Sequence, residues 1–143
     1  MRFLAAFFMF LVPVFVHAEM PVRQIYVSNH PVSVEVAHTQ LSRSQGLMFR
    51  QSLGENDGML FVFLEPGRHS MWMMNTEIPL SVAFIDDKGL ILNVEDMRPH
   101  TQSAHTSAGA AKYALEMNLG WFAKKNIRRG ERVTGLQNVP PAE

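Results

Sequence analysis

Two groups of side chains in this 143-residue chain have the types and spacing for chemistry. The first is polar: Arg43, Arg50, Asn75, Thr76, Glu116 and Asn118, with Trp72 near the Asn-Thr pair. Glu116 and Asn118 lie two residues apart, so on a strand they share a face. Gathered around a pocket floored by Trp72, these groups could hold a small polar ligand. Asn75 and Thr76 would orient it, Arg50 and Glu116 would match its charge, and Arg43 would support them. The competing assignment is structural. Arg50 would neutralise Glu116 and Asn75 would bond a turn, because buried polar groups need partners and buried charges persist mainly when paired.

The second group is His69, Met71 and Met73, which fall on one face if the segment is a strand. Imidazole and thioether donors suit copper(I), and the neighbouring Trp72 could cap the ion through its ring. Methionine also fills irregular core space, which is the plainer role. A third chemistry, hydrolysis, finds no Gly-x-Ser-x-Gly elbow, no His-Glu-x-x-His and no phosphate-binding glycine loop. His105 near Ser107 is a weak base–nucleophile pair, better read with His100 as part of a surface loop. A hydrolase would have to use Glu116, and Arg50 beside it would lower its pKa.

The elements that must position these groups read mainly as strands. Val32, Val34 and Val36 alternate with Ser33 and Glu35, the period of a half-buried strand. Thr39 can cap a helix from about Gln40 to Leu47, with Arg43 on its polar side and Gly46 marking its end or a close backbone approach. Met59 to Leu64 is an apolar run that fits a strand buried on both faces. Glu65-Pro66-Gly67 then reads as a turn into a strand from His69 to Met74. Ser81–Asp86 and Leu90–Glu95 flank a Gly89 hairpin loop. Lys112 to Asn118 alternates again, Leu119 to Asn126 can form a short helix, and a last strand falls near Arg132 to Gly135. Most connections are too short for parallel crossovers. The expectation is an α+β, mainly antiparallel β-rich single domain, with a curled or barrel-like sheet and two short helices.

The start of the chain reads differently. One basic residue, Arg2, precedes an apolar stretch from Phe3 to Val16, and Val16-His17-Ala18 fits a cleavage site. This is a signal peptide over 1–18, and its apolar stretch is shorter than the ~18–20 residues that span a bilayer. One domain over 19–137 and a flexible tail over 138–143 are expected to follow. The absence of cysteine excludes disulfides, thiol catalysis and a lipoprotein anchor. Thirteen basic residues balance thirteen acidic ones, and Lys124, Lys125, Arg128, Arg129 and Arg132 read as a solvated face rather than a nucleic-acid patch.

Five motifs in order resemble one family. They are Gln45 to Arg50, Gly58 to Phe63, Trp72 to Thr76 with Ile78-Pro79-Leu80, Ala83 to Asp86, and Lys112 to Asn118 with Gly120 and Gly130. Together they are similar to the domain of unknown function 192 family, also called uncharacterised protein family 0127. The resemblance runs from Val32 to Val133 and implies a compact β-rich domain, often exported, with no established activity. Two positions depart from the family's pattern: Ser81 stands where an acidic residue is usual, and Met71 where an aromatic is usual.

These readings combine into a periplasmic, non-enzymatic, monomeric domain binding a small ligand or a protein partner. It has no membrane span after cleavage and no nucleic-acid partner. A copper(I) chaperone and a Glu116 hydrolase are the alternatives.

Overall fold

The computed structural model describes residues 20–143, so the leader expected over 1–18 lies outside the described residues. In chain order the elements are β1 (Val22–Val27), β2 (His30–Ala37), α1 (Gln40–Gln45), β3 (Asp57–Gly67), β4 (Ser70–Met71) and β5 (Leu80–Ile85). There follow β6 (Ile91–Met97), β7 (His105–Thr106), β8 (Ala111–Asn118), α2 (Trp121–Lys124), β9 (Val133–Thr134) and a 3-10 turn, Leu136–Asn138. Seven strands form one sheet in the order β6-β5-β8-β3-β2-β1-β9, and β4 and β7 form a separate two-stranded ribbon. Within both sheets every strand pairing is antiparallel except β2–β3. That parallel pair has the long connection it needs, with α1 inside it.

The sheet curls as expected. Leu90 bridges Arg132, and the Ile91 and Gly130 amides donate across the gap to Glu131 O (2.9 Å) and Ile91 O (2.8 Å). The loop before β6 thereby meets the loop before β9, and the two ends of the sheet approach. Each sheet face carries its own apolar core. Leu60, Ala83, Leu115 and Met117 belong to one, with Trp121 and Phe122 from α2. Met59, Phe61, Val82, Phe84 and Ala114 belong to the other, covered by Leu47, Met73 and Ile78. Gly58 to Val62 is accordingly buried on both sides. At Gly58 a Cβ would sit 2.6 Å from the Glu116 carbonyl oxygen and collide with the Met117 sulfur, so only glycine lets β3 and β8 approach this closely.

Helix α1 starts where its cap predicts. Thr39 Oγ1 accepts the Ser42 amide at 3.1 Å, and Ser42 Oγ accepts the Thr39 amide at 3.0 Å. Such a cap contributes about 1 kcal/mol. The helix stops at Gln45 rather than Leu47, because Gly46 turns to φ 49° against the Phe61 ring. Glycine there serves both as helix end and as close approach.

Three local expectations are corrected. Glu65-Pro66-Gly67 does not turn: β3 continues to Gly67 with a register shift after Val62. Proline is accepted because the ladder to β8 is already broken there. The strand expected from His69 to Met74 shrinks to Ser70–Met71, since the Thr76 amide bonds Met73 O and Asn75 takes φ 53°. Arg43 does not lie on a solvated side. Its guanidinium donates to three backbone carbonyls, of His38 (2.6 Å), Val62 (3.1 Å) and Glu143 (3.0 Å). The last of these, with the Glu143 amide bonded to His38 O at 2.8 Å, ties down the tail that composition reads as loose.

Among the described residues no helix is long and apolar enough to cross a membrane.

Candidate functional site

The middle strands supply the floor of the site. On β8 Glu116 follows Ala114 on one face, and its register partners are Met59 on β3 and Val82 on β5. A carboxyl is thus set among apolar neighbours at the centre of a seven-stranded sheet. Two segments arch over it: the end of α1 with its following turn, and the 70–76 segment after β4. Between them lies a cavity of about 240 Å³, lined by Arg43, Leu47, Phe61, Met71, Trp72, Thr76 and Glu116 among others. It is smaller than the ~300–1,000 Å³ of drug-sized sites, so it suits a small molecule.

Glu116 is 3 % exposed. Among the described residues its carboxyl makes no hydrogen bond or ion pair, and burial alone pushes its pKa up to about 8. At neutral pH it is an acid holding its proton. Both expectations for it fail together. Arg50 neither pairs with it nor lowers its pKa, because Arg50 is engaged elsewhere. Arg50 Nη1 and Nη2 donate to the two carboxylate oxygens of Glu35 at 3.0 and 2.9 Å. That hydrogen-bonded pairing raises the Arg50 pKa, against the opposing effect of burial.

The rest of the polar set divides. Thr76 is buried, lines the cavity, and donates its hydroxyl to Met74 O at 3.1 Å. Trp72 lies at the mouth rather than the floor, being 46 % exposed. Asn75 stays outside: it is exposed in the turn, where its carbonyl accepts the Phe49 amide at 2.9 Å. Asn118 shares the face of Glu116 but reaches the neighbouring loop, donating to Leu53 O (2.9 Å) and Gly54 O (3.1 Å).

The three candidate copper ligands occupy different environments. His69 stacks on Phe63 at 3.9 Å, with Nε2 2.8 Å from Glu65 O. Met73 is fully buried in the core, and Met71 lines the cavity. His105 is no surface-loop residue: it stands on β7 opposite Met71, with Nδ1 3.5 Å from Glu95 Oε2 and Nε2 buried without a partner among the described residues. Ser107 is not poised beside it as a nucleophile, since its hydroxyl donates to Gly109 O at 2.8 Å and accepts the His69 amide at 3.2 Å. Ser81 points to the opposite sheet face from Glu116, donating to Asp96 Oδ1 (2.6 Å) and accepting the Gly120 amide (3.0 Å). Its departure from an acidic residue therefore leaves the cavity untouched.

Sequence reasoning missed Leu47 and Phe61 as lining residues and assigned Met71 to a metal. Phe61 was within reach, lying two residues from Met59 and hence on its face. That this is also the face of Glu116 depends on the β3–β8 register, which no local pattern carries.

The sequence profile of the DUF192 family, described as "Uncharacterized ACR", matches residues 22–135. Two solved structures share the fold. One, described as a "putative transcription regulator" from Sinorhizobium meliloti 1021, is 31 % identical, with 85 % of this chain and 98 % of that chain covered at a TM-score of 0.81. The other, a protein of unknown function from Novosphingobium aromaticivorans DSM 12444, is 29 % identical, with 87 % and 90 % covered at 0.77. No curated protein matches the chain.

Proposed function

The chain belongs to the DUF192 family, and on that premise we propose that it is a non-enzymatic, monomeric periplasmic domain whose cavity over β8 binds a small ligand. One observation carries the reading. Among the described residues Glu116 is a buried carboxyl with no hydrogen bond or ion pair, and it lines a cavity. A structural polar group in a core is expected to be satisfied by its surroundings. A group held unsatisfied against open space awaits a partner from outside, and perturbed ionisable groups in clefts are where such sites cluster. The half-exposed Trp72 at the mouth supplies contact area of the kind ligands bury.

Export is supported by the leader-like composition over 1–18. A role in transcription regulation, the words of the Sinorhizobium protein's description, has less support here. Several basic side chains are occupied locally: Lys125 Nζ lies 5.0 Å from the Trp121 ring centroid, Arg132 donates to Lys88 O at 2.8 Å, and Arg128 donates to Asn126 Oδ1 at 3.3 Å.

Acid catalysis is the second reading, favoured by the raised pKa of Glu116. Among the described residues the cavity lining offers no second carboxylate or histidine to complete it, so binding accounts for more of the site. Native mass spectrometry of protein gently purified from a periplasmic extract tests the proposal. The expected result is a retained small molecule in the wild type and its loss in Trp72→Ala. An apo mass for both, with extract added back, would overturn it.

A further inference from the structure

We infer that the cavity takes a small organic cation, a protonated amine on a compact apolar body, with its ammonium on Glu116 and its body against Trp72, Met71 and Phe61. This rests on the small-ligand reading above and names the ligand's chemistry.

The protein leaves one strong interaction unmade in the cavity, and it is with a group able to become an anion. A charge-assisted hydrogen bond to an ammonium is the strongest partner Glu116 can acquire. The walls agree. An indole, a phenyl ring and a thioether surround the space: the ring faces attract cations, and the polarizable methionine adapts to an apolar body.

Among the described residues no cation competes for Glu116. Its strand neighbours Met59, Val82 and Ala114 are apolar. Among the described residues Arg43 is the one other charged group in the lining, and backbone carbonyls of His38, Val62 and Glu143 hold its guanidinium. Lys112, four residues back on the same strand face, donates to the Phe63 and Leu64 carbonyls. Neither acts on Glu116, whose raised pKa comes from burial alone.

A neutral acceptor is the competing ligand, and it predicts the opposite pH trend. It would bind the protonated acid and be lost as pH rises through about 8. An ammonium needs the carboxylate, so its affinity scales with the ionised fraction of Glu116.

The probes are phenethylamine and phenethyl alcohol, titrated calorimetrically into the mature chain at pH 6.5 and 8.5. The Glu116 carboxyl carbon is followed by NMR. The amine is expected to bind about 25-fold more tightly at pH 8.5, the ratio of ionised fractions for a pKa of about 8. At pH 6.5 its binding should release close to one proton and move the carboxyl signal to the ionised position. Glu116→Gln, which removes only the ionisation, should abolish the pH dependence while keeping the fold. If the alcohol binds as well as the amine and weakens with rising pH, the cation inference falls and the small-ligand reading stands. If neither probe moves the carboxyl signal, the inference is overturned. If the protein is also apo in native mass spectrometry, the small-ligand reading falls with it.

Discussion

Replacing Glu116 by glutamine should make the protein more stable at neutral and alkaline pH, by an amount that grows with pH. The Glu116 pKa rises from 4.5 when solvated to about 8 in the folded chain. Between those values the folded state holds a proton that the unfolded state has released, so stability must fall as pH rises. The contribution is fully present below pH 4.5 and fully lost above pH 8. Each pH unit in the window is worth about 1.4 kcal/mol, so the whole window is worth about 5 kcal/mol, a large share of the ~5–15 kcal/mol that holds a domain together. Glutamine keeps the shape of the neutral acid and does not titrate. Denaturant unfolding of both proteins at pH 5, 6, 7 and 8.5 should therefore show a gap that widens by about 4 kcal/mol in favour of Glu116→Gln, then levels off. A gap independent of pH, or one that narrows as pH rises, would refute the assignment of Glu116 as an isolated buried acid.

Three further perturbations separate the site from its scaffold. Arg50→Ala removes a partly exposed bidentate pair with Glu35; it should lower stability by no more than about 1 kcal/mol and leave the NMR titration of Glu116 unmoved. Asn118→Ala loses two bonds to the Leu53 and Gly54 carbonyls. About 1–2 kcal/mol should go in denaturant unfolding, with faster amide exchange in the 53–57 loop and the ligand affinity unchanged. Thr39→Ala should take about 1 kcal/mol with the lost cap, and because α1 carries Arg43 and leads to Leu47, it should also weaken ligand binding several-fold in calorimetry.

What was legible in the chain is what local periodicity encodes. Val32, Val34 and Val36 announce β2, Thr39 announces α1, and Gly89 announces the turn between β5 and β6. In that turn Asp86 Oδ1 accepts the Lys88 and Leu90 amides as a turn aspartate should. Strand β1 was missed because its first three residues are all exposed and only Ile25 and Val27 alternate inward. Strand β3 outran its expected end because Pro66 reads as a breaker, yet it falls where the pairing to β8 has already lapsed. The candidate site was legible in part. Trp72, Thr76, Arg43 and Glu116 do meet at one cavity, whereas Asn75 is exposed in its turn, Asn118 bonds the Leu53 and Gly54 carbonyls, and Arg50 pairs with Glu35. The error at Arg50 has a physical origin: opposite charges were paired by need, while the partner is chosen by register and reach. Glu35 lies on β2, within reach of the loop carrying Arg50, and Glu116 lies two strands away across β3.

The isolation of Glu116 bears on function through a comparison with glutamine. Below pH 8 the two side chains offer the cavity a similar volume and an uncharged hydrogen-bonding tip. For packing alone, glutamine would serve as well and would not carry the penalty that grows from pH 4.5 to 8. What glutamate adds at this position is the ability to become an anion when a partner makes that favourable. The same burial that destabilises the empty carboxylate strengthens its attraction to an incoming cation, because both effects come from the exclusion of water. The stability lost by the free protein and the affinity available to its ligand are thus two expressions of one buried carboxyl. A cation bound at Glu116 should therefore raise the unfolding temperature most at high pH, where the empty protein is weakest. A thermal shift with phenethylamine that grows from pH 6.5 to 8.5 in the wild type and stays flat in Glu116→Gln is the expected signature. An equal shift at both pH values would separate ligand affinity from Glu116 ionisation and break the link.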